Sequence, residues 1–180
     1  KRNAVSEPEL AYALGVSLHE LGQPSAAREL LEEAIVSFPP GRVRASLRLQ
    51  EIYLDSKEVP LLEAAMERNT ALLDNEPLTA GQRDEVYQQR AHILMALGRD
   101  AEAMATLDNL TQDSQRKQST QVFHAQVLMT KADRALDELL AAPQEVQATP
   151  EFAQNLEAAK SDYERATALL KPVAEAFGLE

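Results

Sequence analysis

Apolar residues recur along most of this chain at intervals of three and four, the period that gathers them on one face of an α-helix. Glycines and prolines stand between those stretches. Together the two signals predict eight helices, at 8–21, 24–38, 42–55, 59–74, 80–97, 100–113, 118–141 and 150–177. Gly22 and Gly98 follow helix ends, where a left-handed residue closes the last turn at little cost. Pro24 fits a first helical turn, where the N–H it lacks would have no partner. Pro39-Pro40-Gly41 stops the second helix, Pro60 and Pro77 bracket the fourth, and Pro143 and Pro150 bound a polar loop at 144–149. Asp84 and Asp100 are placed to favour helix N-termini, through capping or the dipole. Pro172 falls inside the last helix and is expected to kink or end it near Lys171.

Two phrases repeat each other. AYALGVSLHELGQPSAARELLEEAIVSFP starts at Ala11, and YQQRAHILMALGRDAEAMATLDNLTQD starts at Tyr87. Each is an apolar helical stretch, Leu-Gly, a short turn and an Ala-rich helical stretch, so the chain reads as an array of helix hairpins. On those residues 8–41 resembles a tetratricopeptide repeat, of the kind found in bacterial proteins. Leu14 and Gly15 match the family's helix A pair, and Leu18 its large residue one turn on. Gly22 matches the turn glycine, Ala27 the small residue early in helix B, Leu31 and Ala34 the helix B packing pair, and Pro39 the closing proline. Ala11 departs from the family's preferred Trp. A second unit, 84–117, resembles the repeat through Tyr87, Ala91, Leu94, Gly98, Ala103, Leu107 and Leu110, without a closing proline. A degenerate unit without a turn glycine, 42–83, lies between them.

The last segment, 118–180, does not carry the repeat. Val122, Ala125, Met129, Ala132, Leu136 and Leu139 form one apolar stripe, and Phe152, Leu156, Ala159, Tyr163, Ala166, Leu170 and Val173 another. Two long helices joined by a short loop predict an antiparallel hairpin. A repeat array needs its final apolar face covered, a role this hairpin can fill. No Gly/Ser linker divides the chain, so 1–180 reads as a single all-α domain. The resemblance implies a right-handed superhelix of antiparallel hairpins, here with a long C-terminal hairpin as cap.

Composition narrows the function. Apolar residues make up 44% of the chain and the net charge is −11. The basic residues are scattered, whereas nucleic-acid affinity rests largely on a basic patch, so no nucleic-acid partner is expected. Anionic membranes are disfavoured for the same reason. There is no cysteine, which removes disulfides, thiolate zinc sites and thiol nucleophiles. No apolar run is long enough to span a bilayer. The opening Lys1-Arg2-Asn3-Ala4 reads as that of an excised or mature form, which leaves the compartment open between cytoplasm and periplasm.

No residue pattern for catalysis, metal or cofactor binding is found. His19, His92 and His124 are far apart in sequence, and none has a second metal-type ligand in a recognised spacing. Adjacent acids such as Glu32 and Glu33 point in different directions on a helix. Binding is the better-founded expectation. The A helices of stacked hairpins line a concave face. Residues of those helices turned away from their own helix B would line the groove: Tyr12, Val16 and His19, then Gln50 and Tyr53, then Gln88, His92 and Met95, with Glu9, Val43, Ser46 and Glu85 beside them. Tyr12, Val16 and Met95 could equally be packing residues. Tetratricopeptide co-chaperones that hold a C-terminal carboxylate use Lys, Arg and Asn on helix A, whereas Tyr12, Ala13, Val16, Gln88, Gln89 and His92 occupy those places, so that ligand is disfavoured. The expected function is a scaffold that holds a partner peptide or helix. The alternatives are a homodimer seam through the stripe with Phe152, Tyr163 and Phe177, and a non-catalytic recruitment domain of a larger enzyme.

Overall fold

The computed structural model describes residues 7–178. Among them are ten α-helices and no strand. The helices are α1 (Glu7–Glu20), α2 (Pro24–Ser37), α3 (Arg42–Ser56), α4 (Val59–Asn75), α5 (Ala80–Ala96), α6 (Asp100–Leu107), α7 (Gln112–Gln115), α8 (Gln118–Ala141), α9 (Gln144–Gln147) and α10 (Pro150–Ala176). Contacts divide the chain into two compact units, one ending at Leu97 and the other starting at Gly98. The sequence pattern changes character after Lys117 instead. The division falls earlier because α6 packs on α8 and so is counted with the C-terminal hairpin.

In the first unit each helix packs on the next, and α3 also packs on α1 and α5. The odd-numbered helices therefore lie side by side, as successive hairpins of one repeat would place them. The α1–α2 hairpin closes where the sequence pattern puts it. Gly15 sits so close to α2 that an added Cβ would come within 2.9 Å of Leu31 Cγ and 3.3 Å of the Ala27 carbonyl. Ala27, Leu31 and Ala34 are fully buried beneath it. Gly22 adopts a left-handed φ of 72°, and its N–H and that of Gln23 donate to the His19 and Leu18 carbonyls, which ends α1. Leu14, matched with Gly15 to the family's helix A pair, is exposed.

The remaining helix ends show which capping expectations hold. Thr79, not Asp84, caps α5: its hydroxyl accepts from Gln82 N–H while the Gln82 side chain accepts from Thr79 N–H. Asp84 lies in the second turn and is buried. Asp100 opens α6 and accepts from Arg134 Nη1 at 2.7 Å through both its oxygens, which ties α6 to α8. The expected sixth helix, 100–113, breaks after Leu107 and resumes as the single turn α7. Its turn is capped by Thr111, whose hydroxyl accepts from Ser114 N–H. Pro172 does not end α10, which continues to Ala176; Val173, just beyond it, is buried and holds the last turn down.

The second unit is built on the α8–α10 hairpin. Ala125, Leu128 and Ala166 form its core, with Met104 of α6 and Leu169 and Leu170 of α10 packed against them. Lys131 donates to Asp162 at 2.7 Å across the hairpin, so a carboxylate is buried in the seam with its counter-ion. His124 is half-buried beside Arg165. Burial lowers its pKa below the ordinary value; Asp108 opposes that shift and Arg165 adds to it. The unfolded chain then binds the proton more readily than the folded one. This contribution to stability is complete above about pH 6.5 and is lost as the pH falls from there towards the folded pKa. The urea midpoint should therefore fall between about pH 7 and 5, and His124→Gln should flatten that part of the profile. An unchanged profile in the variant would refute the assignment.

Candidate functional site

The three A helices of the first unit carry all the residues expected to face a groove, and the structure sorts them into two groups. On α1, Tyr12, Val16 and His19 are half-buried. Tyr12 meets the Phe38 ring at a centroid distance of 6.4 Å, tilted by 39°. His19 Nε2 lies 3.1 Å from Asp55 Oδ2, which links α1 to the end of α3. On α5, Gln88 and Met95 are half-buried and His92 is exposed. His92 is still surrounded by enough protein for desolvation to lower its pKa. Both half-buried and exposed positions on these two helices remain accessible.

Gln50 and Tyr53 do not belong to the open face. Gln50 is 0% exposed, and its Oε1 accepts from Asn69 Nδ2 of α4 at 3.1 Å. The same Asn69 amide donates to the Val86 carbonyl of α5 at 2.9 Å, so one buried amide joins α3, α4 and α5. Tyr53 is buried, and its hydroxyl donates to Glu32 of α2 at 3.3 Å, where Arg68 of α4 also reaches the carboxylate. Burial raises the Tyr53 pKa; the Arg68 charge opposes this and Glu32 reinforces it. Ser46 is buried as well. The reason is common to all three: α3 packs on α1, α2, α4 and α5, so little of its circumference stays open.

What remains open on α3 is a different strip. Val43, Leu47, Glu51 and Leu54 are each half-exposed. Their spacing of four, four and three puts them on one side of the helix. The signal was present in the sequence as Leu47 and Leu54, apolar residues offset from the buried set Ala45, Leu49 and Ile52. Val16 on α1 and His92 on α5 are likewise half-buried and exposed, respectively. On the far side of α3 a cleft of about 270 Å³ opens among Pro24, Arg28, Tyr53, Asp55, Glu58 and Leu61. That is below the usual size of a small-molecule site, and the Tyr53 hydroxyl is already engaged.

Among the described residues no group of three metal-ligating side chains is found, and no helix is long and apolar enough to cross a membrane. No curated protein is significantly similar to the chain. Residues 84–112, by contrast, match the family model described as tetratricopeptide repeat. The match falls on the second of the two related phrases and includes Tyr87, Ala91, Leu94, Gly98, Ala103, Leu107 and Leu110. That segment therefore carries a tetratricopeptide-repeat match, within a chain that is all-α among its described residues.

Proposed function

We propose that the chain is a protein-interaction module whose first unit holds an extended or helical segment of a partner against α1, α3 and α5. The reading is supported by accessible side chains on each of the three helices, Val16 on α1, Leu47 and Leu54 on α3 and His92 on α5, and by the packing of α3 on both α1 and α5. Apolar anchors at these positions supply contact area, and polar neighbours fix the register of the bound segment. A tetratricopeptide repeat fold is ordinarily non-catalytic, which agrees with a binding role.

The test is a selection of peptides from a random displayed library on the 180-residue chain. Leu47→Glu combined with His92→Glu should abolish binding of the selected peptides while helicity by circular dichroism stays at the parent value. Val36→Glu, on the exposed side of α2, should leave binding unchanged. Peptides that bind the double variant as well as the parent would sink the proposal.

A further inference from the structure

The α8–α10 hairpin buries a row of alanines along its seam and leaves several large apolar side chains in water. Ala125, Ala132, Ala159 and Ala166 are buried along its seam. On the same helices Val122 is 43% exposed, Met129 41%, Leu140 80% and Leu156 44%. Helical spacing places Val122, Met129, Asp133, Leu136 and Leu140 on one strip of α8, next to the seam. It places Phe152, Leu156, Tyr163 and Leu170 on the corresponding strip of α10. The Tyr163 hydroxyl donates to Asp133, so both strips lie on the same side of the hairpin. That hydrogen bond also raises the Tyr163 pKa, and the charges of Asp133 and Asp137 add to the shift. Elsewhere on α8, α10 lies along the seam and α6 is held by Asp100 and Arg134. One broad, largely apolar face made by two helices is therefore uncovered, and it has the form of half a four-helix core.

The charges at its margins indicate what covers it. Asp133 lies within the strip of α8, held by Tyr163, and Asp137 lies one turn on, at its outer edge. The margin of α10 carries Lys160 and Lys171, with Glu164 farther out. Lys160 makes an exposed pair with Glu157 at 3.5 Å. It lies one turn before Tyr163, level with the turn of α8 that holds Asp133 and Asp137. We infer that a second copy of this chain docks on the face, with α8 of each copy lying over α10 of the other. A two-fold axis along the helices produces this arrangement and makes every contact twice. Asp133 and Asp137 of each copy then meet Lys160 of the other. The arrangement with α8 over α8 would set four aspartates together, and like charges across an interface are strongly unfavourable.

Sedimentation equilibrium of the 180-residue chain should give twice the monomer mass of 19.8 kDa at micromolar concentration. Met129→Glu and Leu140→Glu should each raise the dissociation constant by about 100-fold, since each places a carboxylate in the apolar contact. Helicity by circular dichroism should stay unchanged, because both positions are exposed in the single chain. Asp137→Lys alone should weaken association, and Asp137→Lys with Lys160→Glu should restore it. A monomer at all concentrations would overturn the inference, as would a dimer indifferent to Met129→Glu and Leu140→Glu. Tighter association of Asp137→Lys would overturn the pairing of α8 with α10.

Discussion

Gly15→Val is expected to destabilise the first unit by about 3 kcal/mol, the upper part of the range for overpacking a close helix contact. For a unit of this size that corresponds to a fall of about 15 °C in Tm. The cause is local and geometric. A Cβ at this position already meets Leu31 Cγ at 2.9 Å and Leu31 Cδ2 at 3.1 Å, with the Ala27 carbonyl at 3.3 Å. Valine adds two methyl groups to that contact and does not allow rotation away from it within a helix. Leu31 can shift somewhat, but the Ala27 carbonyl belongs to α2 and moves only with the whole helix. In a Leu31→Ala background the same substitution should cost much less, a coupling that a double-mutant cycle reads directly. Gly22 makes a useful contrast. A Cβ there meets nothing within 4 Å, but the left-handed φ of 72° is unfavourable for an L-residue. Gly22→Ala should therefore cost only about 1 kcal/mol. Urea titrations of the two variants, followed by circular dichroism, separate a packing glycine from a conformational one. Equal effects would show that the α1–α2 contact is looser than described.

These two glycines also mark how far the sequence could be read. Helix positions were legible because Gly and Pro act on their own neighbourhood: the fourth helix, expected at 59–74, runs from Val59 to Asn75. The α1–α2 contact was legible because glycine, alanine and leucine recur at repeat spacing. Burial on α3 was less legible, since it depends on how many helices surround it. Gln50 is a polar residue at an expected groove position, and only the presence of Asn69 on α4 makes its burial tolerable. The strips on α8 and α10 were read one step off for a related reason. Val122, Met129 and Leu156 share the three-four spacing with the buried alanines but lie to one side of them, and periodicity alone does not separate neighbouring strips. Asp162 lies outside the apolar stripe read from the sequence, yet it is buried, with Lys131 as its counter-ion.

The same offset between neighbouring strips sets the second large effect. Leu128→Ala should cost the second unit about 3–4 kcal/mol, whereas Met129→Ala should cost less than about 0.5 kcal/mol. The two residues are adjacent in sequence, so helix propensity and unfolded-state effects are similar, and the difference measures packing. Leu128 is fully buried with Ala125 and Ala166, under Met104, Leu169 and Leu170. Its neighbours come from three helices, and small residues dominate the seam, so little can move in to fill the space left by the leucine. Truncation then leaves a cavity rather than a repacked core. Met129 points to the open strip, where removing its side chain leaves no cavity. Both variants should be measured in the Leu140→Glu background, so that self-association does not enter the comparison. Amide exchange should quicken across α8 and α10 in Leu128→Ala and stay at the parent rate in Met129→Ala. Comparable losses from the two would mean that the seam and the open strip are exchanged. The face assigned to a second copy would then be the one already buried within the chain.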